Sequence, residues 1–501
     1  MAPPYHELKL TANDPLSLPE IQLLVATFLE GRDLTQCIRV CRLWHTAFLP
    51  CIWENLTLKY RFIDGQPIGP LLNSLQCNRH LVKALRMQSA FSTNYAINYP
   101  RLHTLTLRMV DVCDVASTPT FELQQEYDPT PLIQYNPSIV NLSLEHTKGP
   151  YTTPFWRAVA GLTKLKSLKI CDSVIDSNSV SDFWSLFAQI TKLVLQRSSI
   201  VTSGNIPPNL TFPQLQELEL DLLEELDGVA QLDLIHRCPR LESLVWRPRQ
   251  RIMIHSSGQL VRDITSGKWP NLSKLSLTSP INDVDLASIL TGMIRPATEL
   301  MLDYSGFGDR SLEALKLRHF ATIVTLNLTD CCVSSAMNQE ILCSCPRLER
   351  FESTSIYTST ITQGEPWACL SLKKLHINIL SSSRDHDSHV EVFNRLSRLV
   401  RLEDISFGTK ETRRIPRVPY RGGLRFKLSC GMGVLESLKR MKYLAWSFTR
   451  QNLVMDDIEW MLKSWKGLIQ VTGILNSDDT IGNPLREKLR AHGVLVQSIP
   501  E

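Results

Sequence analysis

One pattern limits what this chain can fold into: apolar-x-x-apolar-x-apolar, returning along most of its length. It is clear at Leu102/Leu105/Leu107, Ile139/Leu142/Leu144, Leu165/Leu168/Ile170, Ile190/Leu193/Leu195 and Leu215/Leu218/Leu220. It continues at Leu241/Leu244/Trp246, Leu272/Leu275/Leu277, Ala297/Leu300/Leu302, Ile323/Leu326/Leu328 and Leu348/Phe351. Leu372/Leu375/Ile377, Leu402/Ile405/Phe407 and Met441/Leu444/Trp446 complete the clear set, with weaker copies at Trp53/Leu56/Leu58, Val82/Leu85/Met87 and Leu468/Val471. The usual step is about 25 or 26 residues, a period that belongs to repeat architectures rather than to one closed core.

The stretches between motifs have helical spacing. Phe183/Trp184/Phe187, Leu286/Ile289/Leu290/Met293, Phe393/Leu396/Leu399 and Ile458/Met461/Leu462/Trp465 each line one face of a helix. Each unit is therefore expected to be a short strand, a turn and a helix. None can bury its apolar face alone, and stacking makes one continuous core. The step falls in the leucine-rich-repeat range. Pro484 to Gln497 reads as a helix carrying Leu485 and Leu489, followed by a short strand, a cap for the last repeat.

The first sixty residues break the period. Ser17 and Glu20 have capping-box spacing, and Pro19 stands in a first turn, where its missing N–H costs nothing. Ile21, Leu24, Val25, Phe28 and Leu29 predict one apolar helix face ended by Gly31. Asp33 and Gln36 repeat the cap spacing, and Leu34, Cys37, Ile38, Cys41 and Trp44 predict a second stripe ended by Pro50. About forty residues bury little core by themselves, so this module needs a partner or the chain behind it.

Leu18-Pro19-Glu20, Phe28-Leu29, Asp33-Leu34, Val40-Cys41-Arg42, Trp44 and Ile52-Trp53 resemble the landmarks of an F-box, in order, over residues 16 to 56. The repeats around Cys238 to Leu244, Leu326 to Cys332 and Cys345 to Phe351 resemble the cysteine-containing leucine-rich repeats common in F-box proteins. The resemblance implies an α/β fold. A helical F-box would precede a leucine-rich-repeat solenoid, a horseshoe with a parallel concave sheet and convex helices. The expected divisions are a leader at 1–14, the F-box module at 15–58, the solenoid at 59–475 and a C-terminal cap at 476–501.

The resemblance also implies a function: substrate receptor of an SCF-type ubiquitin ligase. Leu18, Pro19, Ile21, Leu24, Leu29, Leu34, Val40 and Trp44 would dock on the Skp adaptor, and through it a cullin-RING ligase. The repeats would bind an unidentified protein substrate. A plainer alternative remains: an interaction scaffold whose first helices merely cap the repeats.

Strand side chains alternate faces, so residues between the motif leucines are expected on the sheet surface. That surface would carry Glu217, Glu219, Asp221, Arg247, Lys274, Glu299, Asp303, Asn327, Arg350, Glu352, Lys374 and His376. It is charged but mixed in sign, which suits a protein partner better than a phosphate backbone. Three overlong repeats are candidate binding loops: acidic Asp111–Thr130, the basic stretch around Trp246-Arg247-Pro248-Arg249-Gln250-Arg251, and Arg-rich Lys410–Lys427.

Composition adds exclusions. A formal charge of +4 over 501 residues gives no support to nucleic-acid binding. Thirteen cysteines without paired spacing suggest reduced thiols, hence the cytoplasm or nucleus. There is no Walker A loop, GxSxG, HExxH or complete GxGxxG, so no catalytic role is expected, and no cofactor or metal. Asp385-His386-Asp387-Ser388-His389 reads as a solvated Ser-rich loop.

Overall fold

The computed structural model describes residues 15, 18–59, 61–63, 66–68, 72–88, 96–108, 128–146, 151–201, 207, 210–249, 256–278, 280–381, 386–407, 423–446 and 451–497. The insertion at 111–127, most of the Arg-rich stretch and residues 250–255 lie outside them. The chain divides into two compact units, Met1–Pro239 and Arg240–Glu501.

Each unit is a leucine-rich-repeat α/β stack. In the first, seven strands pair in parallel in the order Asn55–Lys59, Ala84–Gln88, Thr104–Arg108, Asn141–Glu145, Ser167–Cys171, Lys192–Gln196 and Glu217–Asp221. In the second, ten strands run in parallel from Ser243–Arg247 to Leu495–Gln497. The ladders are in register, so equivalent motif positions stack directly. Leu85, Leu105, Leu142, Leu168, Leu193 and Leu218 form one column. Leu275, Leu300, Leu326, Phe351, Leu375, Ile405 and Leu444 form its counterpart. All are buried. The column works because a parallel in-register ladder places like side chains about 4.8 Å apart, a distance aliphatic groups fill without voids. The weak copies at Val82/Leu85/Met87 and Leu468/Val471 are buried like the strong ones, whereas of Trp53/Leu56/Leu58 only Leu58 is buried and the other two are half-buried.

Helices between strands cover the other face. The expected stripes at Phe183/Trp184/Phe187, Leu286/Ile289/Leu290 and Phe393/Leu396/Leu399 are buried beneath them. Polar plugs close the gaps between repeats. Asn136 accepts the Tyr99 N–H and donates to the carbonyls of Ile97 and Leu132. His319 accepts the Ala297 N–H at Nδ1, which fixes the neutral tautomer and leaves Nε2–H for the Leu290 carbonyl. Cys238 is buried at the end of its own helix, its thiol donating to the Leu234 carbonyl at 3.2 Å, as expected of packing cysteines.

Four turns that follow strands of the first unit have a cost. His146, Asp172, Arg197 and Leu222 directly follow their strands with φ between 45° and 55°. Left-handed backbone costs a non-glycine residue about 1–2 kcal/mol. The conformation turns the N–H of His146, Asp172 and Arg197 to the neighbouring strand's last carbonyl (Cys171, Gln196 and Asp221), at 2.9, 3.0 and 2.7 Å. One further rung of the ladder offsets part of the strain.

Three helices open the chain: α1 (Pro19–Ala26), α2 (Gly31–Cys37) and α3 (Arg42–Glu54). Pro19 sits in the first turn of α1 as expected, but Leu18 is the N-cap without a side-chain cap bond. Gly31 starts α2 rather than ending α1, and Asp33 lies inside its first turn. The second stripe is split between α2 and α3, because Val40 and Cys41 leave helical geometry and Cys41 becomes the N-cap of α3. Pro50 does not stop α3. It sits inside the helix, where its ring removes one backbone bond.

Near the other end, the helix Asp479–Ala491 begins five residues before Pro484 because Asp478 caps it through the Thr480 N–H; the strand Leu495–Gln497 follows it. His389 corrects another expectation. It is buried on the helix His386–Ser397, its Nδ1 facing the Arg425 N–H, because the helix begins inside the Ser-rich segment.

Candidate interaction surfaces

The first surface lies on the helical module. Its own core is small: Ala26, Leu34 and Phe48, with Val25, Leu29, Cys37, Ile38, Trp44, Cys51 and Ile52 packed around them. Trp44 meets Phe48 edge-on at 5.4 Å. The inward face of α1 therefore runs through Gln22, Val25 and Ala26, with Leu29 just beyond it; of the five residues that periodicity placed on one face, Val25 and Leu29 pack inward, Ile21 is half-buried, and Leu24 and Phe28 are exposed. Alanine 26 decides this, being small enough to let α1 approach α3.

The eight residues named as adaptor contacts consequently separate. Leu29, Leu34 and Trp44 serve the module's core, and Ile21 is half-buried. Leu18, Pro19, Leu24 and Val40 are exposed. The structure adds Leu23, Leu43 and above all Phe28, which is 81% exposed. Six large apolar side chains (Leu18, Leu23, Leu24, Phe28, Val40, Leu43) thus face outward from fewer than thirty residues. Scattered exposed leucines are ordinary; this density is not. Sequence reasoning could not separate the two sets, since both faces of α1 are apolar.

Helix α3 runs into the first strand with no intervening loop, Glu54 being followed directly by Asn55. Glu54 is tied to the next repeat twice: its carbonyl accepts the Lys83 N–H at 3.0 Å and its carboxylate pairs with Lys83 Nζ at 2.8 Å.

The second surface is the sheet face. The expected alternation holds along most strands, with Cys171, Val194 and Ser276 buried at outward positions, and the named residues fall on both units. In the first unit, Glu217 pairs with Lys192 at 2.7 Å, and Glu219 accepts from the Gln196 amide at 2.6 Å, beside Asp221 on the same strand. In the second, Lys274 pairs with Glu299 at 2.7 Å and Lys374 with Glu352 at 3.0 Å. His376 meets Asp404 at 3.1 Å, Arg247 donates to Ser276 at 3.3 Å and Asn327 donates to Glu352 at 3.4 Å. Arg350 is exposed at the start of its strand. Many of these charges are spent on cross-strand neighbours, and pairs of this exposure contribute roughly 0–1 kcal/mol each.

Asp303 differs. Burial pushes its carboxyl up to about 6, with Arg247 opposing and the nearby Asp330 and Glu352 reinforcing the rise. Trp246, read both as the last apolar position of its motif and as the first residue of the basic stretch, is a buried core residue of the strand Ser243–Arg247, as the motif reading expects. Among the described residues no three His, Cys, Asp or Glu side chains gather as a metal site. No helix among them is long and apolar enough to cross a membrane.

No protein-family profile matches the chain, and no curated protein does. Solved structures with a related arrangement include the leucine-rich-repeat protein LIC12759 of Leptospira interrogans, 14% identical over 89% of this chain and 96% of that one, with a TM-score of 0.40. The yeast Rad7–Elc1 complex is 13% identical, covering 69% and 72%, with a TM-score of 0.37. The Toll–Spatzle complex of Drosophila is 10% identical, covering 80% and 51%, with a TM-score of 0.26.

Proposed function

We propose that this chain is the non-catalytic substrate receptor of an SCF-type ubiquitin ligase, working in the cytoplasm or nucleus. The helical module would dock on a Skp adaptor and the repeats would bind a protein substrate. The observation that carries the reading is the outward apolar set Leu18, Leu23, Leu24, Phe28, Val40 and Leu43, on a module whose landmarks resemble an F-box. Completing the burial of one such half-exposed side chain yields about 1–2 kcal/mol, so a handful suffices for micromolar binding or better. The mechanism is positional: a receptor that holds substrate beside the conjugating enzyme raises its effective concentration, and the thioester chemistry belongs to other subunits.

One observation favours a second reading, an interaction scaffold without a ligase role. The unbroken passage of α3 into the first strand, with the Glu54–Lys83 stitch, is what a simple cap of the repeats would need. Co-purification with the Skp adaptor separates the two. The wild-type chain is expected to retain the adaptor, and a Leu24→Asp/Phe28→Asp variant to lose at least about tenfold in affinity. Both side chains are exposed, so the variant's melting temperature should stay unchanged. Failure of the wild type to bind leaves the scaffold reading.

A further inference from the structure

In the second unit, the loops that lead into five consecutive strands, Arg350–Tyr357 to Gln470–Thr472, all end in the same turn. The N–H groups of Leu348, Leu372, Leu402, Met441 and Leu468 donate to the carbonyl three residues back, at 3.3, 3.0, 2.9, 3.2 and 3.0 Å. Both ends of each turn are buried, from Cys345 and Leu348 to Trp465 and Leu468. The central pair therefore projects outward, and every central residue but the half-buried Ser371 is exposed. The pairs read Pro346-Arg347, Leu370-Ser371, Val400-Arg401, Lys439-Arg440 and Lys466-Gly467. Cations recur along the row, no acid interrupts it, and two aliphatic side chains sit side by side within it, Leu370 46% and Val400 53% exposed.

The neighbouring row does not cancel this charge. Glu349, Lys373, Glu403, Lys442 and Ile469 follow the turns in register, each N–H after the first donating to the carbonyl before it at 2.8 Å. The two acids of that row are taken, Glu349 by Lys373 at 2.7 Å and Glu403 by Lys442 at 2.8 Å. The Lys442 bond holds the Glu403 carboxyl below its ordinary range, with Arg440 and Lys373 contributing from nearby. Lys439 meets Glu436 at 3.1 Å, an exposed pair of little strength. Arg347, Arg401, Arg440 and Lys466 form no ion pair among the described residues, nor do the exposed Arg398 and Lys463 just before the third and fifth turns. Against them stands one exposed acid, Glu365, on the helix side of the second turn. Helix dipoles favour cations within the last helical turn, which accounts for Lys463 and Arg398 but not for the turn tips or the exposed aliphatic pair.

We propose that this row of turns binds an acidic segment of a partner protein, with apolar residues at its centre and carboxylates on either side. Leu370 and Val400 take the apolar residues. Arg347 holds the acids at one end, and Arg401, Arg440 and Lys466 hold those at the other. The inference rests on the repeats being the partner-binding part of the chain, and it gives the bound protein a chemical class. Neighbouring turns follow the strand spacing of about 4.8 Å, so the row spans about 19 Å, the length of about six extended residues. Flexible Arg and Lys stems let each head group follow a carboxylate without exact registry. The positive strip is one turn wide and bounded on the strand side by closed ion pairs. A duplex or an anionic membrane calls for charge spread over a face, and a nucleic-acid single strand for aromatic platforms, which none of these turn tips supplies. The cations reject a basic segment, and the aliphatic pair disfavours one that is acidic throughout.

The test is fluorescence anisotropy of the full chain, at low ionic strength, with labelled peptides of about eight residues, longer than the row when extended. One places Leu-Val between runs of Glu, one replaces Leu-Val by Ser-Ser, and one replaces every Glu by Lys. The first is expected to bind, the Ser peptide at least about threefold more weakly and the Lys peptide not at all. An Arg401→Glu/Arg440→Glu variant should weaken the first peptide about tenfold, and Arg347→Glu, at the other end of the row, gives an independent second variant. A Leu370→Ser/Val400→Ser variant should bind the first two peptides alike. All these side chains are exposed at turn tips, so melting temperatures should stay unchanged. Equal binding of the Ser peptide by the wild type, unaffected Arg variants, or no binding of the first peptide would overturn the proposal. Displacement of the peptide by single-stranded DNA or by phosphatidylserine vesicles at lower concentration than unlabelled peptide would overturn it in favour of a phosphate ligand. The Leu24→Asp/Phe28→Asp chain should bind the first peptide normally, and the Arg401→Glu/Arg440→Glu chain should retain the adaptor. Adaptor binding without peptide binding therefore sinks only this inference, and peptide binding without adaptor binding sinks only the ligase reading.

Discussion

Asp303 shows how a single residue on the sheet face reports on its surroundings. Its carboxyl is pushed up to about 6 by burial, with Asp330 and Glu352 adding to the rise, from an ordinary value of 3.8. Between those values the folded chain binds more protons than the unfolded one, so its contribution to stability is present below about pH 4 and fades as pH rises through about 6. Asp303→Asn removes the titration. Chemical denaturation should show the variant more stable than wild type by about 1 kcal/mol at pH 8, a figure discounted for the partial exposure of the group, and no more stable near pH 3.5. A gain of equal size at both values would assign the effect to packing. The sequence placed Asp303 on the outer face by alternation alone. Its protonation was not legible, because Arg247, Asp330 and Glu352 come from three other repeats.

At the scale of elements, the joints between repeats decide more than the helices themselves. Asp283, in the first turn of the helix Asp283–Gly292, reaches the start of the next repeat's helix, Asp309–Arg318. Its carboxylate accepts the N–H groups of Gly308, Arg310 and Ser311 at 2.9, 3.2 and 2.9 Å and the Ser311 hydroxyl at 2.6 Å. Burial works to raise its pKa, but the bonds from Ser311, Arg310 and Gly308 outweigh it and hold the carboxyl below its ordinary range. Gly308 belongs to the same joint, since a Cβ there would meet the Asp283 carboxyl at 2.8 Å. Asp283→Ala is expected to destabilise the protein by about 1–2 kcal/mol, read from denaturant midpoints, by exposing an uncapped helix start. Asn282, which caps its own helix through the Asp285 N–H, offers the local comparison. Local caps of that kind are visible in sequence; a cap supplied from 25 residues earlier is not. The same limit explains Pro50 and Gly31, both read as stops. Packing of α1 and α2 on α3 keeps the third helix intact through its proline, and α1 ends earlier because the chain must turn there to bring Leu34 onto Phe48.

For the whole molecule, stability should follow the repeats, each contacting only its neighbours in the ladder. The cysteines make this measurable. Cys77 and Cys332 are exposed, while Cys238, Cys345 and Cys369 are buried with their thiols pushed up by burial, Cys369 to about 12. A thiol-reactive chromophore should label Cys77 and Cys332 at once in the native protein and the three buried thiols only as their repeats open. Prompt labelling of all five would contradict the packing described here. The repeat period, the motif strands with the buried columns of their apolar positions and the helical stripes between several of them were determined by the sequence alone. The reason is physical: a parallel in-register stack forces the same side-chain problem on each unit, so the solution recurs as a visible pattern. Tertiary structure alone decided which apolar residues of the first three helices turn inward, which charges on the sheet face pair across strands and where a carboxyl loses its water. Those outcomes depend on side chains brought together from different repeats, and no local stretch of sequence contains them.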